Sequence, residues 1–305
     1  MASFAFVFPG QGSQSVGMLN GWGDHPAVRD TLAEASAALG QDLGALMRGG
    51  PQDELDLTTN TQPVMLCAGI AAYRAWRAEG GAEPAAVAGH SLGEYSALVA
   101  AGVLELADAL RLVRFRAQAM QQAVPVGAGA MAAVLALEPE QVAQGCAKAA
   151  AESGEVVAAA NFNDPRQTVI SGSAAGVDKA REVLKAMGAK RVVPLPVSAP
   201  FHCSLMKPAA EALRERLAEV PFAAPRIALV NNVDVAVQTD AAAIRDALYR
   251  QAYGPVRWVE VVRALRARAL SHFVECGPGK VLAGMVKRID AEAQVLALYD
   301  PATLA

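Results

Sequence analysis

Ala85-Ala86-Val87-Ala88-Gly89-His90-Ser91-Leu92-Gly93-Glu94-Tyr95-Ser96-Ala97-Leu98-Val99-Ala100-Ala101 is the stretch that decides the fold. A short apolar run (85–88) leads into one serine between two glycines, and residues 94–101 then read as a helix. This is the G-x-S-x-G elbow in the context that gives it meaning: small flanking residues allow a sharp strand-to-helix turn that pushes a hydroxyl out above a sheet. The Ser91 hydroxyl would sit at a helix N-terminus, where unpaired N–H groups and the positive end of the helix dipole favour developing negative charge. The stretch therefore predicts an α/β protein that acylates a serine.

The rest of the chain supplies partners for Ser91. Phe4-Ala5-Phe6-Val7-Phe8 reads as a buried strand that stops at Pro9-Gly10-Gln11-Gly12-Ser13-Gln14. A glycine-bearing loop in that position can bring amides close to a ligand. An acyl-transfer site of this type takes one oxyanion donor from the residue after the nucleophile and one from a separate loop, which points to Leu92 and Gln11. The base must be one of four histidines, His25, His90, His202 and His272. His90 adjoins the nucleophile, and neighbouring residues on an elbow diverge, so it reads as a wall of the site. His25 reads as a surface residue and His272 as a strand entry. His202 follows the apolar run Val192 to Val197, in a loop before a helix expected near Leu205, where catalytic bases usually sit.

A hydrolytic triad would add a carboxylate between serine and histidine in chain order. Asp108, Asp164 and Asp178 fall there, yet none follows a clear core strand. A backbone carbonyl can fix the imidazole tautomer instead, and such a base suffices for a thioester with a good leaving group. In the helix expected over Ala109 to Met120, Arg111, Arg114 and Arg116 could all be solvated; an arginine would suit a buried carboxylate because its planar fork makes two charge-assisted bonds.

Composition fits one large core plus a smaller unit: 305 residues, 53% hydrophobic, 19% charged and mean hydropathy +0.24. No apolar run approaches the ~20 residues of a membrane span, and Met1 to Phe8 lacks the pattern of a signal peptide, so a cytoplasmic location is expected. Cys67, Cys146, Cys203 and Cys276 are dispersed, which favours reduced thiols over disulfides or a zinc site, and Cys203 beside His202 is not expected to converge on it. The net charge of −3 argues against nucleic acid as a partner. An acidic protein partner would need a local basic patch, for which Lys190 with Arg191, or Lys280 with Lys287 and Arg288, are candidates.

The order of elements predicts an insertion. After Gly127 the pattern runs strand (130–137), helix (139–152), two strands (156–161, 167–171), helix (175–187), strand (191–197), the β-α-β-β-α-β order of a ferredoxin-like unit. The expected architecture is a large α/β-hydrolase-like domain, residues 1–125 and 198–305, interrupted by a small ferredoxin-like domain at 126–197. Its further strands are expected at 4–8, 85–88, 227–231 and 272–275, and the ligand cleft at the junction of the two domains.

Several motifs in register resemble one family: Pro9 to Gln14, Gly89 to Gly93, Arg116 with Met120-Gln121, Asn161 to Gly172, Ser198 to His202, and Glu275-Cys276-Gly277-Pro278-Gly279. Together, from residue 4 to about 298, the chain resembles the malonyl-CoA:acyl carrier protein transacylases. The resemblance implies Ser91 as nucleophile, His202 as base, Gln11 and the Leu92 amide as oxyanion hole, Arg116 as ligand of the malonyl carboxylate, and the Gln251 carbonyl as the group orienting His202. It also implies that Phe201, beside the base, crowds out branched acyl chains. The implied partners are malonyl-CoA and the phosphopantetheine arm of acyl carrier protein, with no metal or redox cofactor and a monomeric chain. An esterase, a transferase subunit of a malonate decarboxylase and a non-catalytic carrier-binding module are the alternative readings.

Overall fold

The computed structural model describes residues 3–304. Nine strands form two sheets: β1 (Phe4–Phe8), β2 (Ala86–Gly89), β3 (Gly129–Leu135), β4 (Val157–Asp164), β5 (Gln167–Ser173), β6 (Arg191–Pro194), β7 (Ala228–Val230), β8 (His272–Cys276) and β9 (Gln294–Leu298). The first sheet has the order β7-β2-β1-β8-β9 and is parallel throughout. Side chains alternate between the faces of a strand, and β1 shows what that does here. Phe6 and Phe8 point into one core with the helices Thr58–Ala78, Gly93–Ala100 and Leu106–Gln122. Ala5 and Val7 point into another with Trp258, Val261 and Val286, from the helices Trp258–Ala267 and Val281–Ile289. Helices thus cover both faces, which is why β1 and β2 are apolar at every position.

The second sheet is antiparallel, in the order β4-β5-β3-β6, and its strands are joined by the helices Pro139–Ser153 and Ala174–Ala186 in the expected β-α-β-β-α-β sequence. A separate core of Val134, Val142, Ile170, Val177 and Leu184 holds it together. Several boundaries differ from expectation: β3 stops at Leu135 rather than 137, and β4 and β5 run on to Asp164 and Ser173 rather than 161 and 171. The last strand ends at Pro194 rather than Val197, because Pro194 and Pro196 have no N–H to extend the ladder. The helix expected near Leu205 starts at Lys207, after a 3-10 turn over Ser204–Met206. The edge strand β9 has no counterpart among the expected strands. Among the described residues no helix is long and apolar enough to cross a membrane.

The antiparallel unit closes onto the end of the parallel sheet that carries the elbow. Asn161 in β4 bridges to Val256, and Arg288 donates to Asp164 Oδ2 at 2.6 Å.

Candidate active site

The parallel sheet builds the elbow. β2 ends at Gly89, paired with Phe8, and the helix starts at Gly93. His90, Ser91 and Leu92 make the turn between them, and Ser91 takes left-handed backbone, φ 51°. Both glycines are required by space rather than by flexibility. A Cβ on Gly89 would lie 1.9 Å from the Gly93 carbonyl carbon and oxygen, and one on Gly93 would lie 2.0 Å from the Phe8 oxygen. The loop after β1 is held almost as close, since a Cβ on Gly10 would lie 2.5 Å from the His90 oxygen.

His202 meets Ser91 from the far side of the cleft, with Nε2 2.7 Å from Ser91 Oγ. Its own backbone is also left-handed, φ 61°. Non-glycine residues rarely adopt this region, and such outliers gather at functional sites. The other ring nitrogen, Nδ1, faces the carbonyl oxygens of Gln251 at 2.9 Å and Gly254 at 3.2 Å. Carbonyls only accept, so Nδ1 carries the proton and Nε2 is the lone pair that receives the Ser91 hydrogen. Burial and then the Arg116 charge push the imidazole down to about 3, which keeps it neutral. The three aspartates weighed for a triad are occupied elsewhere: Asp108 with Arg111, Asp164 with Arg288, and Asp178 with Arg181.

Arg116 is buried at 2% exposure, whereas Arg111 pairs with Asp108 on the surface and Arg114 donates to Gln41. Arg116 Nη2 donates to Ser91 Oγ at 3.2 Å and to Gln251 Oε1 at 3.1 Å, while Nη1 donates to Gln62 Oε1 at 2.9 Å. Its guanidinium carbon lies 5.5 Å from the Tyr95 ring centroid. The helix pattern held a signal for this burial. Val113, Ala117 and Met120 line the buried face, and Arg116 falls on the same stripe by i, i+3 and i, i+4 spacing.

The remaining expected site residues fall as follows. The Leu92 N–H, at the head of the helix, has no acceptor among the described residues, and neither does the Gln11 N–H; the Gln11 side chain donates to Thr58 Oγ1 at 3.3 Å. The ring of His90 turns away from Ser91, with Nε2 2.8 Å from Asn163 Oδ1 and the ring against Trp258. Phe201 is buried in the large core. Lys190 and Arg191 are exposed, Lys280 covers the Tyr299 ring, and Arg288 is tied to Asp164.

Sequence reasoning missed the polar residues that fix the elbow. Asn232 accepts from Ser91 N–H at 2.7 Å and donates to Gly89 O at 2.7 Å, and its own N–H donates to Glu94 Oε2 at 3.0 Å. Gln251 Nε2 donates to Ser91 O at 3.1 Å and to Glu94 Oε2 at 2.9 Å. Burial raises the Glu94 carboxyl to about 7.

A serine on a strained elbow, a neutral histidine aimed at it and a buried guanidinium beside its oxygen define a serine acyltransferase site. The chain belongs to the acyl transferase domain family, whose model matches residues 5–298. It is 54% identical, over all of its length and 98% of the relative, to a malonyl CoA-acyl carrier protein transacylase of Salmonella typhimurium, and 45% identical to the protein of the same name in Bacillus subtilis, over all of its length and 96% of that chain. Among solved structures it superimposes with TM-score 0.97 on an acyl-carrier-protein S-malonyltransferase from Burkholderia pseudomallei, at 62% identity over 99% of this chain and 98% of that one. A malonyl-transacylase solved in complex with its type II PKS acyl-carrier protein gives the same TM-score at 48% identity, over 99% and 98% of the two chains.

Proposed function

We propose that this acyltransferase moves a malonyl group from malonyl-CoA to the phosphopantetheine thiol of acyl carrier protein, through a malonyl ester on Ser91, for fatty acid or polyketide synthesis. The observation that carries the reading is the pairing of two contacts at one atom: Ser91 Oγ is 2.7 Å from His202 Nε2 and 3.2 Å from Arg116 Nη2. A nucleophile and a carboxylate receptor that close together suit an acyl group ending in a carboxylate. The names of the relatives agree with it.

In the proposed reaction His202 Nε2 takes the hydroxyl proton as Ser91 Oγ attacks the thioester carbon. The oxyanion forms against the N–H groups of Leu92 and Gln11, and Arg116 holds the malonyl carboxylate with two parallel bonds. The C–S bond breaks, CoA leaves with the proton from His202, and the ester remains. The pantetheine thiol then gives its proton to His202 and attacks the ester carbon; the C–O bond breaks, and Ser91 Oγ leaves with that proton from His202. Gln251 O keeps the imidazole in the accepting tautomer throughout, so the task needs no carboxylate. His90 and Phe201 are read as walls of the acyl and pantetheine cleft, with Phe201 crowding branched chains.

The architecture supporting this reading is a large α/β-hydrolase-like domain, 1–125 and 198–305, with a ferredoxin-like insertion at 126–197. The elbow after β2 and the β-α-β-β-α-β order support it. A cytoplasmic setting suits the four buried, unbridged cysteines, since thiols stay reduced there. The experiment that tests the function is mass spectrometry of the protein mixed with malonyl-CoA alone. A malonyl adduct on the Ser91 peptide, discharged by holo carrier protein, is expected; fast release of free malonate with no adduct contradicts the reading in favour of a hydrolase.

A further inference from the structure

Gln251 touches every part of the site, and its side chain does something its carbonyl does not. The carbonyl holds His202, while the amide, fully buried, has Nε2 on Ser91 O and Glu94 Oε2 and has Oε1 on Arg116 Nη2. An amide has one donating and one accepting end. Reversed, it would aim its NH2 at the guanidinium and its oxygen at two acceptors, and in a buried site no water could relieve the mismatch. A guanidinium only donates and a carbonyl only accepts, so Arg116, Ser91 O and Glu94, itself 1% exposed and fixed by the Asn232 N–H, together set which end faces Arg116.

The consequence lies in what Arg116 is left to bind. All three acceptors on its terminal nitrogens are neutral: the Gln62 and Gln251 amide oxygens and the Ser91 hydroxyl. Its Nε has no partner. The nearby carboxyl, Glu94, is kept one amide away. A direct Arg116–Glu94 ion pair would neutralise the guanidinium and force an incoming carboxylate to compete with an internal one. With the amide between them, the carboxyl and the guanidinium share one buried cluster and the guanidinium remains open to an anion.

We propose that Glu94 is a positioning residue, and the Gln251 side chain a spacer, that together hold Arg116 beside Ser91 with its charge uncompensated, and that acyl selection depends on this arrangement. The proposal rests on the reading of Arg116 as the ligand of the malonyl carboxylate. The measurement is the ratio of kcat/KM for malonyl-CoA to that for acetyl-CoA, taken on Glu94→Leu, Glu94→Gln, Gln251→Glu and Arg116→Ala; circular dichroism reports that each variant is folded.

Glu94→Leu removes the acceptor and should lower the ratio by about tenfold or more, the loss falling on malonyl transfer. Glu94→Gln offers an amide oxygen in the same place and should stay within about threefold of wild type. Gln251→Glu puts a carboxylate on Arg116 and should lower the ratio by about a hundredfold, with KM for malonyl-CoA rising. If Glu94→Leu or Gln251→Glu keeps the wild-type ratio, or lowers both substrates equally, while Arg116→Ala loses the ratio, the proposal is overturned and the Arg116 reading survives. An unchanged ratio in Arg116→Ala overturns that reading and this proposal with it. Should Glu94→Leu fail to fold, Glu94→Met, which keeps the length of the side chain without its acceptor, is read in its place with the same expected loss.

Discussion

Ser91 and His202 both sit in left-handed backbone, φ 51° and 61°, a conformation that costs about 1–3 kcal/mol per residue and is held here by the packing of the elbow and the carbonyls on Nδ1. Ser91→Ala should abolish the malonyl adduct, because Ser96, the next serine, is buried within the following helix. Intact-mass measurement checks it, and labelling at another residue would refute the assignment. His202→Ala should slow acylation by ~10²–10⁴, read by rapid quench. Its titration also has a signature in stability. In the unfolded chain the imidazole takes a proton near 6.5, but in the folded site not until about 3. Between those values the unfolded state binds the extra proton, so His202 lowers stability as pH falls through that window, by up to about 1.4 kcal/mol per pH unit, and contributes no slope above it. Glu94, raised to about 7, works in the opposite sense between its unfolded value and 7. The difference between wild type and His202→Gln in urea unfolding at pH 7, 6 and 5 isolates the histidine: the variant should lose less stability with acid. At Phe201, a preference for malonyl-CoA over methylmalonyl-CoA is expected, and equal rates would remove the steric role proposed for its ring.

The elbow shows what was readable at the scale of elements. Gly89, Ser91 and Gly93 are close in the chain, so their spacing carries the geometry directly, and β1, β2 and the β-α-β-β-α-β run announce themselves by apolar runs and helical periodicity. Gly89→Ala or Gly93→Ala should prevent the turn from closing, since each Cβ would fall about 2 Å from main-chain atoms that cannot yield. Loss of soluble folded protein, or a destabilisation of more than about 4 kcal/mol by denaturant titration, is expected; a stable, active Gly93→Ala variant would contradict the packing. Asn232 was not readable, because 141 residues separate it from Ser91 and nothing in Val230-Asn231-Asn232-Val233 distinguishes a residue that clamps an elbow from one that ends a strand. The Gln62 and Gln251 side chains were hidden for the same reason: their partners come from other helices. Arg116 stood between these cases. Its position on the buried stripe with Val113 and Met120 was present in the helix pattern, yet the resemblance to a family was what singled it out.

Over the whole molecule, the parallel sheet presents Ser91 and the helix Leu106–Gln122 presents the buried Arg116 guanidinium, while the return from the antiparallel unit delivers His202 across the cleft. Contacts from β4 hold the two units in register: Asn163 on His90, Phe162 N–H on Val256 O at 2.9 Å, and Asp164 on Arg288. Because Arg288 is half exposed while Asp164 is buried, Arg288→Ala should cost about 1 kcal/mol in thermal unfolding and leave acyl selectivity unchanged. A shift in selectivity would show that this contact sets the cleft as well as the stability. The central claim is that the site chooses its acyl group by its carboxylate, through Arg116. The most direct measurement is the ratio of kcat/KM for malonyl-CoA to that for acetyl-CoA in wild type and in Arg116→Ala. The account predicts that malonyl transfer falls by two orders of magnitude or more, about 3 kcal/mol, while acetyl transfer holds or rises. An unchanged ratio would contradict it and leave Arg116 a structural cation.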